Sequence, residues 1–219
     1  MDFYIVYKTF SYLLLVSSGV AFFISLRAPF KFYPSLKFLL ACSFLADGSF
    51  RILLDFFGHY LALSTPLYNV AEILLVSFFY YYLLDNKSSK RVIQIIVVIL
   101  IFLLLTFQFG TNAVDVNKIK TLSNVIFSAY GILYFIQFIR KQVAEDPLQV
   151  PSFWFNSSLL LYFSGSLFVF MIFDPLVKQQ QASAILSYDF HNFLGVVKNL
   201  GLSYGFILCR RTVYNFKNG

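Results

Sequence analysis

Seven stretches of about 20 mostly apolar residues follow one another along the chain, with little sequence left between them. A helix rises ~1.5 Å per residue, so each stretch matches the ~30 Å hydrocarbon core of a bilayer. Only 12% of the 219 residues are charged, whereas soluble domains have roughly 25%. The sequence therefore predicts an all-α, polytopic transmembrane helix bundle that forms a single domain over residues 1–219.

The predicted spans are separated by short connections that carry charges, prolines and glycines, as turns do. Each spanning segment must satisfy its own backbone hydrogen bonds in lipid, and the chain lacks the alternating apolar and polar pattern of membrane strands. We place the seven spans at about 3–26, 37–58, 61–84, 92–109, 119–139, 154–176 and 184–209.

Lysines and arginines flank the two ends of these spans unequally. Eleven lie at the ends predicted to share one side. Four lie on the other side, namely Lys8, Lys118, Lys120 and Lys178. Because short cytoplasmic loops retain positive charge, the bias predicts an outside N-terminus and a cytoplasmic C-terminus in a bacterial inner membrane. The net charge of +7 is then a topology signal, and we expect contact with lipid head groups and no nucleic-acid partner.

Charged residues within the predicted spans are few and fall at one depth. Counting ~1.5 Å per residue from the cytoplasmic boundaries places four of them ~15 to 21 Å deep. A charge there costs roughly 2.5 to 3.5 kcal/mol unless it faces inward and is paired or hydrated. With two neighbouring amides they form the predicted ligand- or proton-binding network: Asp47, Arg51, Glu72, Lys198, Asn69 and Asn199. The alternative is that these ion pairs only specify which helices pack together.

A second polar level lies nearer the outside, at a depth of ~27 to 33 Å by the same count. We expect an outer vestibule lined by Asp55, His191, Asn192 and Asp189. A catalytic zinc takes three protein ligands and a water, and His59, His191 and Asp55 would supply such a set. No other cofactor is predicted.

The first three spans align with the last three when the sequence is shifted by about 112 to 120 residues. The shift brings "SGVAFFI" over "YGILYFI", "DGSFRI" over "SGSLFV" and "LYNVAEIL" over "SYDFHNFL". The match predicts a three-plus-one-plus-three parallel repeat with the binding site between the halves. Some small sugar and vitamin transporters share this architecture, and it is also proposed for opsin-like receptors.

Three segments resemble a family of short, uncharacterised multi-spanning proteins common in the Bacteroidetes. They are "TPLYNVAEILLVSFFYYYLL", "PSFWFNSSLLLYFSGSLFVFMIF" and "FHNFLGVVKNLGL", about half of the chain. The resemblance implies that the family's recurrent residues correspond to Glu72, Asn156, His191 and Asn199. It implies no established activity.

Three functions remain open. The first is a receptor-like sensor, in which a small ligand shifts the charge network and the helix ends signal to a separate cytoplasmic partner. The second is a small-molecule or proton-coupled transporter. The third is an intramembrane metal-dependent hydrolase, and it is the least favoured because the chain has only two histidines and no nucleotide or nucleophile motif.

Overall fold

The computed structural model describes residues 3–29, 31, 33–57, 64–110, 113–141, 146–178 and 183–218. Side chains are described over 8–29, 31, 33–49, 67–106, 118–141, 146–172 and 186–211. This part of the chain contains seven α-helices, one short 3-10 helix at Pro147–Gln149 and no strand, as predicted for an all-α fold.

The helices lie close to the predicted spans. They are α1 (Phe3–Leu26), α2 (Pro34–Phe57), α3 (Ser64–Leu83), α4 (Lys87–Gly110), α5 (Ala113–Arg140), α6 (Pro151–Lys178) and α7 (Ser183–Asn218). Most ends differ from the prediction by up to three residues, and three differ by more. Helix α4 begins at Lys87, before the predicted 92, α5 begins at Ala113, before the predicted 119, and α7 continues past 209 to Asn218.

Five helices are long and apolar enough to cross a bilayer within the described residues. Their apolar segments are Lys8–Leu26, Lys87–Thr106, Lys118–Arg140, Pro151–Ile172 and Leu186–Arg211. Helix α3 has a shorter apolar segment at Leu67–Leu83, and α2 carries charged residues along its length. The molecule is therefore an all-helical, membrane-spanning protein.

Polarity is distributed as a lipid environment requires. Large apolar side chains point outward from the bundle, and α4 is the most exposed of the helices in this respect. Examples are Val16, Phe23, Ile95, Val98, Phe102, Ile139, Phe168 and Leu200. Polar side chains are instead buried between the helices, among them Glu72, Asn124, Asn156, Lys198 and Asn199. Lipid tails replace water on the outer surface, so the polar groups concentrate inside.

The helices pack as a ring with one helix outside it. Helices α1, α2 and α3 are neighbours in chain order, as are α5, α6 and α7. Contacts between α3 and α5 and between α7 and α1 join the two groups, while α4 lies against α3 and α5. Side chains that face the centre of this ring come from both groups.

Helices α6 and α7 approach each other closely at two glycines. A Cβ atom on Gly201 would lie 1.9 Å from the Ser158 hydroxyl oxygen, and one on Gly205 would lie 2.4 Å from the Phe155 ring. Glycines four residues apart form one small face of a helix, which lets backbones come together in membranes. The spacing fixes how α7 is rotated and hence which of its residues face α6.

The connection from α1 to α2 is tucked into one end of the bundle. Tyr33 has a φ of 49° in the left-handed region, and its ring packs on Phe79 and Phe155. The buried Lys37 ammonium donates to the carbonyl oxygens of Ala28 and Pro29 at 2.5 and 3.1 Å. These bonds satisfy carbonyl groups that follow the end of α1 and would otherwise be buried without a donor.

Candidate functional site

A buried ion pair joins α3 to α5 near the middle of the bundle. Lys120 Nζ lies 2.5 Å from Glu72 Oε2 and donates to Asn69 Oδ1 at 2.9 Å. The Glu72 side chain is 2% exposed and that of Lys120 is 12% exposed. Glu72 lies two turns into α3, ~12 Å from its first residue, so the pair is well inside the span.

Tyrosine and serine extend this pair to α2. The Tyr68 hydroxyl lies 3.2 Å from Glu72 Oε1, as its donor, and 3.0 Å from the Ser43 hydroxyl. The Lys120 ammonium also lies 5.5 Å from the centre of the Tyr68 ring. Both carboxylate oxygens of Glu72 therefore have a donor, and the lysine is held by an acid, an amide and a ring.

A second buried lysine comes from α7. Lys198 is 4% exposed, and its ammonium lies 4.2 Å from the centre of the Tyr162 ring on α6. The charges of Glu72, Asp47 and Lys120 act on it electrostatically, so it belongs to the same charged centre. Among the described side chains of this centre, the two acids therefore balance the two lysines in charge.

His191 lies two turns before Lys198 on the same face of α7, beside α6. Its Nδ1 lies 3.0 Å from the Ser166 hydroxyl oxygen, and its ring packs against Tyr162 at a centroid distance of 5.5 Å. Phe170 covers the imidazole, with a centroid distance of 5.1 Å. The α6–α7 wall of the centre is thus aromatic.

We name the side chains that contact or act on each other here the central cluster. It comprises Ser43, Asp47, Tyr68, Asn69, Glu72, Lys120, Tyr162, His191 and Lys198. Four of the six predicted network residues belong to it: Asp47, Asn69, Glu72 and Lys198. The side chains of Arg51 and Asp55, and the whole of His59, lie outside the described residues.

The other predicted residues face elsewhere. Asn199 donates to the Ser17 hydroxyl at 3.0 Å and Asn192 to the Ser11 hydroxyl at 3.3 Å, both on α1. Adjacent residues on a helix point ~100° apart, so Lys198 and His191 face α6 while their neighbours Asn199 and Asn192 face α1. Asp189 is 4% exposed, and within the described residues neither of its carboxylate oxygens has a hydrogen-bond partner.

The sequence does not predict Lys120, Tyr68 or Tyr162 as part of the site. A fifth span that begins at about 119 counts Lys120 among the outer flanking residues. The start at Ala113 places Lys120 about two turns inside the helix, opposite Glu72. Tyrosine carries little information in a chain that is 21% aromatic, so Tyr68 and Tyr162 had no distinguishing signal.

Within the residues that the structure describes, no three histidine, cysteine, aspartate or glutamate side chains converge on one point. The predicted zinc ligands Asp55 and His59 fall outside that part, so the zinc site stays a prediction. His191, its third member, is engaged with Ser166 and aromatic rings.

Several buried polar atoms have no hydrogen-bond partner among the residues that the structure describes. Both polar atoms of Asn124, which is 0% exposed, have no hydrogen-bond partner, and neither do the hydroxyls of Ser77, Ser128 and Tyr130. Asn124 and Ser128 follow Lys120 at four-residue intervals, so the three lie on one stripe of α5. This stripe runs from the ion pair toward the C-terminal end of the helix.

Comparisons with family models, with curated proteins and with solved structures give no match to this chain. The family resemblance of the sequence is therefore still an expectation. What the fold and the central cluster define is a class: a membrane-spanning helical bundle with a buried, charged centre.

Proposed function

We propose that the protein is a small-molecule transporter whose central cluster binds solute between two three-helix halves. The halves are α1–α3 and α5–α7, and α4 connects them outside the ring. The observation that carries the proposal is the Lys120–Glu72 ion pair, which is buried and joins the two halves. Breaking and remaking such a pair would let the halves move relative to each other while keeping the charges balanced.

Repetition in the sequence supports two equivalent halves. Lys8, Thr9, Ser11 and Gly19 of α1 recur as Lys120, Thr121, Ser123 and Gly131 of α5. Pro34, Ser35, Phe38, Gly48 and Ser49 of α2 recur as Pro151, Ser152, Phe155, Gly165 and Ser166 of α6. Tyr68 and Leu74 of α3 recur as Tyr188 and Leu194 of α7. Parallel repeats of this kind place the binding site at the interface between the halves.

Packing supports the same pairing of helices. If α3 corresponds to α7 and α5 to α1, then the contact of α3 with α5 corresponds to the contact of α7 with α1, and both occur. Glu72 and Asn192 occupy corresponding positions. Glu72 bonds across to Lys120 on α5, and Asn192 bonds across to Ser11 on α1.

The proposal includes seven membrane passes, an outside N-terminus, a cytoplasmic C-terminus and a bacterial inner membrane. The burial of Lys120 favours this orientation, because it removes one basic residue from the outer side of the count. The exposed Asp85–Lys141 ion pair would then lie at the cytoplasmic ends of α3 and α5.

The test is transport by purified protein in liposomes. Jumps of amino acids, sugars, nucleosides, vitamins and small carboxylates would be applied on a solid-supported membrane, with a pH-sensitive dye reporting proton movement in parallel vesicles. We expect one class to be taken up by the wild type and not by Glu72→Gln. Asp85→Asn is the matched control, since it removes an exposed carboxylate and should retain uptake.

A receptor-like sensor is the second candidate, and the length of α7 favours it. The helix has 36 residues, ~54 Å, which exceeds the ~30 Å hydrocarbon core. Its C-terminal end would project into the cytoplasm, where a signalling partner could bind it. Solutes that raise the melting temperature but are not taken up would select the sensor over the transporter.

A further inference from the structure

Lys198 is a buried lysine whose ammonium has no oxygen partner among the residues that the structure describes. The residue is 4% exposed, and its Nζ lies 4.2 Å from the centre of the Tyr162 ring. An ammonium has three N–H donors. The face of an aromatic ring stabilises its positive charge in part but does not replace an oxygen acceptor for these donors.

Lys37, which is buried, and Lys120, whose side chain is 12% exposed, show what such a group receives elsewhere in the described part of the bundle. Lys120 has a carboxylate and an amide oxygen within 2.9 Å, and Lys37 has two backbone carbonyl oxygens within 3.1 Å. Of these three lysines, only Lys198 has no oxygen acceptor. A charge inside a membrane protein is stable when it is paired. The Lys198 ammonium therefore lacks the hydrogen-bond acceptors that would complete its environment.

The nearby acids do not fill this role. Glu72 already accepts from Lys120 and Tyr68, one at each carboxylate oxygen. Asp47 acts on Lys198 electrostatically, and no hydrogen bond joins the two described side chains. Neither acid therefore accepts a hydrogen bond from the Lys198 ammonium.

We propose that Lys198 binds the anionic group of the solute, a carboxylate or phosphate oxygen, with the Tyr162 ring against the opposite side of the ammonium. The aromatic wall formed by Tyr162, Phe170 and His191 would contact the rest of the solute. This inference rests on the proposed function, since it assigns the solute's charge. It makes Lys198 the residue that selects anions over neutral or cationic molecules.

The experiment is a thermal-shift titration of the full-length protein in detergent with sodium salts of chloride, acetate, benzoate and inorganic phosphate at constant ionic strength. It is run on wild type, Lys198→Met and Lys198→Arg. Met keeps the length without the charge, and Arg keeps the charge. Lys90→Met is the control, because Lys90 also lies over a ring, Tyr81 at 5.4 Å, but at the surface.

We expect one oxyanion to raise the melting temperature of the wild type by about 3 to 6 °C at tenfold excess over its Kd, and chloride to raise it little. The shift should persist in Lys90→Met and Lys198→Arg and disappear in Lys198→Met. Acetate or benzoate as the active salt identifies a carboxylate, and phosphate identifies a phosphate. If Lys198→Met does not fold, the wild type and Lys198→Arg still decide whether an oxyanion binds.

The inference is overturned if no oxyanion stabilises the wild type more than chloride does, or if the stabilisation survives in Lys198→Met. Its failure differs from failure of the proposed function. Uptake of neutral or cationic solutes without anion binding would leave the transporter and remove the anion site. Anion binding lost in Lys198→Met, without uptake of that anion, would keep the site and remove the transporter.

Discussion

Breaking the Lys120–Glu72 ion pair is expected to lower the free energy of unfolding more than any other change proposed for this protein. Glu72→Gln removes the counter-charge of a lysine whose side chain is 12% exposed, and Lys120→Met leaves a carboxylate 2% exposed with Tyr68 as its remaining described donor. Removing one member of a buried pair costs ~3 to 5 kcal/mol because the other charge stays buried. We expect ~3 kcal/mol for Glu72→Gln and ~4 kcal/mol for Lys120→Met, since the carboxylate is the more buried of the two.

The double variant Glu72→Gln/Lys120→Met should be far less damaging than the sum of the two. Neither charge remains, and replacement of a whole buried pair by neutral groups of similar volume is often close to neutral. We therefore expect it within ~2 kcal/mol of the wild type, which makes the two changes strongly non-additive.

The assay is thermal unfolding of the purified protein in one detergent, followed by the fluorescence of Trp154 and by far-UV circular dichroism. For a chain of this size 1 kcal/mol corresponds to ~2 to 4 °C, so the single variants should melt ~6 to 16 °C below the wild type. Lys141→Met is the control, because its pair with Asp85 is exposed and contributes under ~1 kcal/mol. Additive losses in the double variant, or single losses under ~1 kcal/mol, would refute the ion-pair reasoning.

Three further predictions concern other parts of the molecule. Asn124→Leu should raise the free energy of unfolding by ~1 to 3 kcal/mol, because it removes two buried polar atoms that have no hydrogen-bond partner in the described part of the chain. A melting temperature equal to or below that of the wild type would contradict this. Gly205→Ala should lower the free energy of unfolding by ~1 to 3 kcal/mol, because a Cβ would meet the Phe155 ring at 2.4 Å. Gly48→Ala is the control and should be tolerated, since the nearest neighbour of its Cβ is Leu15 at 3.7 Å. Equal melting temperatures for the two variants would rule out the close approach. The hydrogen bond from Lys141, and after it the charge of Lys141, hold the pKa of the exposed Asp85 below its usual value. The pair therefore stabilises the fold at pH values above the unfolded pKa of ~3.9, and this contribution is lost as the pH falls through the folded pKa. We expect the free energy of unfolding of Asp85→Asn to be lower than that of the wild type by under ~1 kcal/mol, and this difference should vanish at low pH and in 1 M salt. A difference that depends on neither pH nor salt would exclude a contribution from the ion pair.

Much of the fold could be predicted because apolar length and short turns are local properties of the sequence. Helix existence and order followed from them, and α1 ends at Leu26 as expected. The rotation of each helix is not local. The sequence places Lys198 and Asn199 side by side, but only the close packing at Gly201 and Gly205 sets which of them faces α6. Partner choice follows from that rotation, so it could be determined only from the packed structure.

Lys120 shows why a depth count alone could not find the main ion pair. An unpaired charge in lipid is costly, so a lysine near the end of a predicted span is assigned to its flank. A span that begins at about 119 places Lys120 there. Helix α5 begins at Ala113, so Lys120 lies ~10 Å inside it, at nearly the level that Glu72 has in α3. The two helices run in the same direction and touch, which brings acid and base together. A lysine can thus lie within a span when another span supplies its counter-charge, and here that span belongs to the other group of three helices. The residue that breaks the local rule is therefore the one that joins the two groups, which is why the first test of mechanism belongs there.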